Sequence, residues 1–326
     1  MRKTILLSRL IGASLALLLS ANTVLAAGYP AKPITMIVPF SAGGATDQLG
    51  RYLGQRLSDK LGQPVIIENK PGAGTVVAAA HVAKSAPDGY TLFLSGSSGL
   101  TLNPAIRSQL PYDPLQSYAF ISHVAFMDLL LLGNSQTQEK SLEEVVQTAK
   151  ANPQALSYGS FGVGSTAHFA GEMLKDAKGA KIMHIPFNGS SQNLTALIGN
   201  QMPLAVDTIV ASLPHIRAGT LHPIALLSAE RSALLPDVPT VAEMGSPGFE
   251  IMSWFAVVAP AGLPDDIRQT LDDSFREIVS EPETRDKLLS MGLTPGYASG
   301  DQLQEMVKKE LPLMKRIAQS ANIQVQ

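Results

Sequence analysis

The chain is predicted to fold as an α/β protein of two lobes with a cleft between them, on three observations. Apolar runs of four to seven residues alternate with helical patterns along the chain, as strands joined by helices over largely parallel sheets would. The alternation starts afresh near DLLLLGN, residues 128 to 134. Each half also carries a glycine-rich turn between a strand end and a helix, SAGGATD in the first and GSFGVGST in the second. Clefts between such halves are where small ligands usually sit.

Taken in order, Arg2, Lys3 and Arg9 form a basic start, residues 10–19 an apolar stretch, and Val24-Leu25-Ala26 a small-residue cleavage site. These are the three parts of a secretory signal peptide. The apolar run is about half the roughly 20 residues a membrane span needs, so residues 1–26 are expected to be removed, leaving a soluble periplasmic protein. ITMIVPF (34–40) leads into a helix whose Leu49, Leu53, Leu57 and Leu61 lie four apart and which closes at Gly62. PVIIEN, a helix in TVVAAAHVAKSA, and YTLFLSG continue this half to about residue 125. In the second half Ser141 and Glu144 form a capping-box start for SLEEVVQTAKA. ALSYGS, KIMHIPF, MPLAVDT and HPIALLS then read as strands with helices between them. SWFAVVAP (253–260) is a further buried strand, followed by helices in PDDIRQTLDDSF and PETRDKLLSMG and an amphipathic stretch from Asp301, expected to kink at Pro312.

Composition excludes several classes. The 326 residues are 45% hydrophobic and 16% charged, with a formal net charge of -2, so the basic footprint of a nucleic-acid binder is missing. With no cysteine, thiol catalysis, disulfides and a lipid anchor on cysteine are impossible.

The two turns carry the candidate chemistry. In SAGGATD, Gly43 and Gly44 let the chain take a positive φ and let a ligand approach the backbone, with Thr46 or Asp47 expected to cap the helix. YGSFGVGSTAHFAGEMLK runs through Gly159, Gly162 and Gly164 into a helix whose first turn holds Ser165, Thr166 and His168. Amide groups at such helix starts favour an anion, and two turns facing one cleft could close on a carboxylate from both sides. A hydrogen bond to a charged group contributes about 1.5 to 3 kcal/mol, and micromolar affinity needs about 8 kcal/mol. A handful of such donors reaches it with no arginine in either turn. Asp47 and Asp207, near expected cleft edges, could instead receive a ligand's ammonium group or cap a helix.

Enzyme readings fare worse. Residues 162–167 fit G-x-G-x-x-A, but the next strand, KIMHIPFNG, lacks the acidic residue that would hold a ribose. No nucleophile elbow, H-E-x-x-H or P-loop occurs. His168 and Glu172, four apart on one helix, are too few for a metal site, and His81, His123, His184, His215 and His222 lack metal spacing. No cofactor is expected. The rival reading is an exported hydrolase or isomerase of a small carboxylic acid, using Asp47 or Asp207 with His168.

Along the chain, YPAKPITMIVPFSAGGATD, VIIENKPGAG, PDGYTLFLS, YGSFGVGSTAHFAGE, HIPFNG, HIRAGTLHPIALLSAERSALLPDVPTVAEMG and WFAVVAPAGLP together resemble the Bug, or TctC-like, periplasmic solute-binding proteins of tripartite tricarboxylate transporters. The resemblance implies a type II Venus-flytrap fold, with residues 27–128 and 253–326 in one lobe and 129–252 in the other. It implies a monomer that hands a small carboxylate, whether a di- or tricarboxylate, an acidic amino acid or an aromatic acid, to a membrane permease or a sensor. Carried onto this chain, the family's carboxylate-binding turns nominate Phe40, Ser41, Ala42, Gly43, Gly44 and Asp47 from one lobe. Ser160, Phe161, Gly162, Gly164, Ser165, Thr166 and His168 come from the other, with Asp207 at the cleft edge. The distal end of the pocket is expected from the loops SGSSGLTLN and IPFNGSSQN. One departure is Asn188 where family members often have a lysine, which removes a cation.

Overall fold

The computed structural model describes residues 28–324, so the signal-peptide reading of residues 1–26 lies outside the described residues. Two mixed sheets organise the chain. Strands β1 (Ile34–Val38), β2 (Val65–Asn69), β3 (Thr91–Gly96) and β4 (Tyr118–Met127) belong to the first. β5 (Leu129–Asn134), β6 (Ser157–Ser160), β7 (Met183–Pro186), β8 (Leu204–Thr208) and β9 (Leu221–Leu226) make the second. β10 (Ser253–Pro260) and β11 (Thr294–Ser299) return to the first. The six-stranded sheet has the order β11-β4-β10-β3-β1-β2 and the five-stranded sheet β7-β6-β8-β5-β9.

The local logic of the first unit is as predicted. Helix α1 (Ala45–Leu61) buries Leu49, Leu53 and Leu57 against Ile34, Met36 and Val38 of β1, and ends at Gly62, left-handed at φ 67°, a conformation easiest for glycine. Helix α2 (Val76–Ala83) follows β2. After β3 the chain does not loop. Ser98–Leu102 forms a π-helical turn that runs into the short helix α3 (Asn103–Ile106), so the segment expected as the loop SGSSGLTLN is largely helical.

In the second sheet's layer lie α4 (Leu142–Ala151), α5 (Thr166–Lys178), α6 (Ser190–Ile198) and α7 (Ile209–Arg217). At the start of α4 the Ser141 hydroxyl accepts the Glu144 N–H, but the Glu144 carboxylate takes the N–H of Lys140, one residue before the position a capping box would use. Helices α8 (Asp265–Ser280), α9 (Pro282–Ser290) and α10 (Gly300–Ser320) complete the chain.

The sheets are less parallel than predicted. Parallel pairing joins β1 to β2 and β3, and β6 to β7 and β8. β10 is antiparallel to β3 and β4, β11 to β4, and β5 to β8 and β9. A parallel neighbour needs a crossover helix, whereas β5 and β10 enter their sheets directly from the other one. Only Asp128 separates β4 from β5. There the Asp128 carbonyl accepts the Ile209 N–H at 3.1 Å and its carboxylate accepts from the Thr294 hydroxyl at 3.0 Å. On the way back, Leu227 donates its N–H to the Leu129 carbonyl at 3.0 Å, so the two crossing segments are tied to each other.

Each sheet is covered on both faces. α10 is shared between them: Leu303 and Val307 pack with Phe93, Phe120 and Trp254 of the first sheet. Met314, Ile317 and Ala318 pack with Tyr158, Leu204 and Val206 of the second. The helix runs on through Pro312. Among the described residues no helix is long and apolar enough to cross a membrane.

Candidate functional site

The first turn is held from below. Gly44 is the N-cap of α1 and lends no side chain, so neither Thr46 nor Asp47 caps the helix as predicted. Asp47 instead bends back from the third helical position. Its Oδ2 accepts the N–H of Gly43 and the Nε–H of Arg51, both at 2.9 Å, and its Oδ1 accepts from Asn69 Nδ2 at 2.9 Å. Asn69 also donates to the Phe40 carbonyl at 2.9 Å. Gly43 sits at φ 88°. The hydrogen bond from Arg51, with that from Gly43, holds the Asp47 carboxyl at about 2.

The second turn uses different chemistry for the same bend. Ser165 is the N-cap of α5; its hydroxyl accepts the His168 N–H at 3.2 Å and donates to the Gly162 carbonyl at 2.6 Å. Gly164, at φ 74°, donates its N–H to His168 Nδ1 at 3.2 Å. That acceptor role requires a neutral ring with its proton on Nε2. His168 stacks on His184 with centroids 3.8 Å apart and planes 12° apart, and His184 Nε2 lies 2.7 Å from the Ser160 hydroxyl. Burial pushes both imidazoles down to about 4. Glu172 receives Tyr158 and Lys175, and no group of three metal-ligating side chains exists among the described residues.

Between the sheets lies a cavity of about 510 Å³, within the range of ligand pockets. Phe40 and Thr46 of the first turn line it, and so do Phe161, Gly162, Gly164, Ser165 and Thr166 of the second. Ser41, Ala42, Gly43, Gly44, Asp47, Ser160 and His168 do not line it; Asp47, Ser160 and His168 support the turns from behind. Thr46 and Thr166 lie in the first turns of α1 and α5, where backbone N–H groups lack intrahelical partners. Both helices thus turn their positive ends toward one space.

Asp207 is not at the cleft edge. It is fully buried, accepting from the Ser190 hydroxyl at 2.6 Å, the Thr208 N–H at 2.8 Å and Asn193 Nδ2 at 2.8 Å. It fastens the start of α6 to the end of β8, and no residue of IPFNGSSQN lines the cavity.

The floor was partly foreseen. Ser95 to Gly99 line it, with Ser253, Trp254 and Phe255. A Cβ on Gly96 would lie 2.0 Å from the Trp254 carbonyl oxygen, so only glycine lets β3 and β10 meet there. The Ser253 hydroxyl donates to Thr166 Oγ1 at 2.8 Å, joining floor to second turn. Trp254 Nε1 donates to Glu310 at 2.7 Å, and Thr101 donates to the same carboxyl at 3.0 Å. Burial raises the Glu310 carboxyl to about 7.

Sequence reasoning reached Asn103, the last residue of SGSSGLTLN, but missed the rest of the side wall. Thr75, Asn103 and Arg107 line it, and Arg107 is the one ionisable side chain on the cavity wall among the described residues. Its Nε donates to Asn103 Oδ1 at 3.0 Å and its Nη2 to the Ala73 carbonyl at 3.4 Å. The two turns hold no basic residue, as predicted, but the cavity does.

Two α/β sheets joined by crossing strands, with a cavity between them, define the class of two-lobed periplasmic binding proteins. Residues 49–323 match the tripartite tricarboxylate transporter family receptor, TctC, and the chain belongs to that family. Protein BugT of Bordetella pertussis is 38% identical over 296 residues, covering 89% of this chain and 90% of BugT. Among solved structures, R. palustris Rpa4515 with adipate is 32% identical, covers 91% of this chain and 99% of its own, and has a TM-score of 0.79. MatC from Rhodopseudomonas palustris with bound malate is 29% identical over 89% of this chain and 99% of its own, at a TM-score of 0.74.

Proposed function

We propose that this protein is a periplasmic receptor that captures a small carboxylate between its two lobes and presents it to a membrane permease of the tripartite tricarboxylate type, or to a sensor. One observation carries the reading: a single cavity is lined by a glycine-rich turn from each sheet, and each turn opens a helix at its positive end. A ligand spanning both turns stabilises the closed arrangement in proportion to its contacts with each. The acids bound in Rpa4515 and MatC support a carboxylate as the ligand. The lobes are taken as residues 27–128 with 253–326, and 129–252, and the working unit as a monomer.

The rival hydrolase or isomerase would need Asp47 or Asp207 to act with His168. Neither acid reaches the cavity wall, and the His168 Nδ1 is occupied by Gly164, which favours binding over catalysis. A thermal-shift screen of the mature chain against carboxylic acids, neutral sugars and cations tests the reading. A saturating acid at 100 times its Kd should stabilise by about 2.7 kcal/mol and be recovered unchanged. Shifts from sugars or cations with none from any acid would refute it.

A further inference from the structure

We infer, resting on the carboxylate-receptor reading above, that the Glu310 carboxyl takes up a proton as an acid enters the cavity, so that capture is coupled to pH through the floor residue Trp254. Two cavities share one wall. Behind the floor lies a smaller cavity of about 220 Å³, lined by Phe126, Glu250, Met306, Lys309 and Glu310 among others. Trp254 lines both this space and the ligand cavity. An acid resting on the floor and the Glu310 carboxyl are therefore one indole ring apart.

The hydrogens at this site do not add up for a carboxylate. Glu310 is half-buried as a residue, but its carboxyl is turned onto the buried Trp254 and Thr101. Trp254 Nε1 reaches one oxygen, Oε2, at 2.7 Å, and Thr101 Oγ1 lies 3.0 Å from the other, Oε1. The same Thr101 hydroxyl also faces the Ser97 carbonyl at 3.0 Å, and it has one hydrogen to give. With Glu310 ionised, that hydrogen serves either Oε1 or Ser97, and the other acceptor goes without it, which is unfavourable among buried partners. A proton from solvent placed on Oε1 completes the chain. Glu310 then donates to Thr101, Thr101 donates to Ser97 on the cavity wall, and Trp254 keeps its bond to Oε2.

Charge acts on the same group. Burial, joined by the negative charge of Glu250 and opposed by the bonds from Trp254 and Thr101, raises the Glu310 carboxyl to about 7. Glu250, ahead of β10, and Lys309, on the same helix as Glu310, line the small cavity with it. On β4, His123 lies beside the Trp254 ring at a centroid distance of 6.4 Å, and burial holds it down at about 4, so it is neutral where Glu310 titrates. Arg107 lines the ligand cavity. These groups are present with and without ligand, so the change on capture comes from the ligand's own charge. A like charge favours the neutral form of a carboxyl, and the coupling is reciprocal. An acid that tightens Glu310's hold on its proton is itself bound more tightly by the protonated protein.

The test is titration calorimetry of the mature protein from about pH 6.5 to about 8.5, where carboxylic acids, ionising near 4, stay charged. The probe is whichever of succinate, glutarate, malate and benzoate binds most tightly at the acid end. A roughly tenfold tighter hold on the proton in the complex lowers wild-type affinity about fivefold across this range and takes up about half a proton near its middle, read from the dependence of the heat on the buffer. Glu310→Gln can donate to Thr101 and accept from Trp254 as the protonated acid does. It should keep the acid-end affinity throughout and take up no proton. Should that variant fail to fold, Trp254→Phe decides: it removes a bond that favours the carboxylate, so the fall in affinity should move to higher pH. A flat wild-type profile, or one that these variants leave unmoved, would overturn the inference while leaving the receptor reading intact. Binding of no acid at all by the wild type would bring down both.

Discussion

The two glycine turns are built to one plan from different parts. In each, a glycine with positive φ donates its N–H to a side chain four residues on: Gly43 to Asp47 at 2.9 Å, Gly164 to His168 at 3.2 Å. In the first the acceptor is a carboxylate clamped by Arg51 and Asn69; in the second it is a neutral imidazole lying on another imidazole. The first turn has open space around its glycine, while the second is packed against Ile106. Backbone geometry at a binding turn is thus separable from the group that enforces it, and that group decides which stress breaks the turn.

The largest contrast should come from adding one methyl group. Gly164→Ala places a Cβ 2.4 Å from Ile106 Cδ1 as well as at φ 74°, so left-handed strain of about 1–2 kcal/mol adds to overpacking of about 1–3 kcal/mol. Gly43→Ala meets nothing within 4 Å and should lose only the first part. Equal losses in urea unfolding would remove the asymmetry.

Acid should separate the turns next. His168 and His184 are held down at about 4 from an ordinary 6.5. Their neutral forms therefore support the fold fully above about 6.5, and that support fades as pH falls toward 4, by up to about 3 kcal/mol for one such group. Asp47, held at about 2 from 3.8, keeps its contribution above the unfolded value and loses it only as pH falls through the range between. His168→Gln should flatten the upper part of the urea-midpoint profile and leave the lower part unchanged. Asp47→Asn should cost about 1.5–3 kcal/mol at neutral pH through its charge-assisted bonds, and a smaller loss would mean Arg51 contributes little. Smallest is Gly44→Ser, which gives α1 the cap that Ser165 gives α5. A gain of a few tenths of a kcal/mol in unfolding free energy is expected; a loss would show that the first turn needs its glycine for more than helix initiation.

Much of this was legible in the residues. The leucines four apart in α1, the restart at residue 128 and both glycine turns announce themselves by spacing and by the absence of side chains. What stayed hidden depended on direction in three dimensions. Asp207 sits in a strand buried along its whole length, where no polar-apolar alternation tells which way a side chain faces. β11 opens with Thr-Pro-Gly, the composition of a turn, and becomes a strand by pairing with β4. Arg107 reaches the cavity because the π-helical turn at 98–102 sets the phase of the short helix before it. Five residues of irregular winding leave no periodic trace that would assign an arginine to a wall.

The last helix has a mechanical meaning. Its early residues Leu303 and Val307 are planted in one core, its later residues Met314, Ile317 and Ala318 in the other, and Pro312 lies between the two sets. Proline cannot donate to the carbonyl one turn back, so the rod is softest at the seam. Any rotation of one half against the other must load this strut as well as the paired strands.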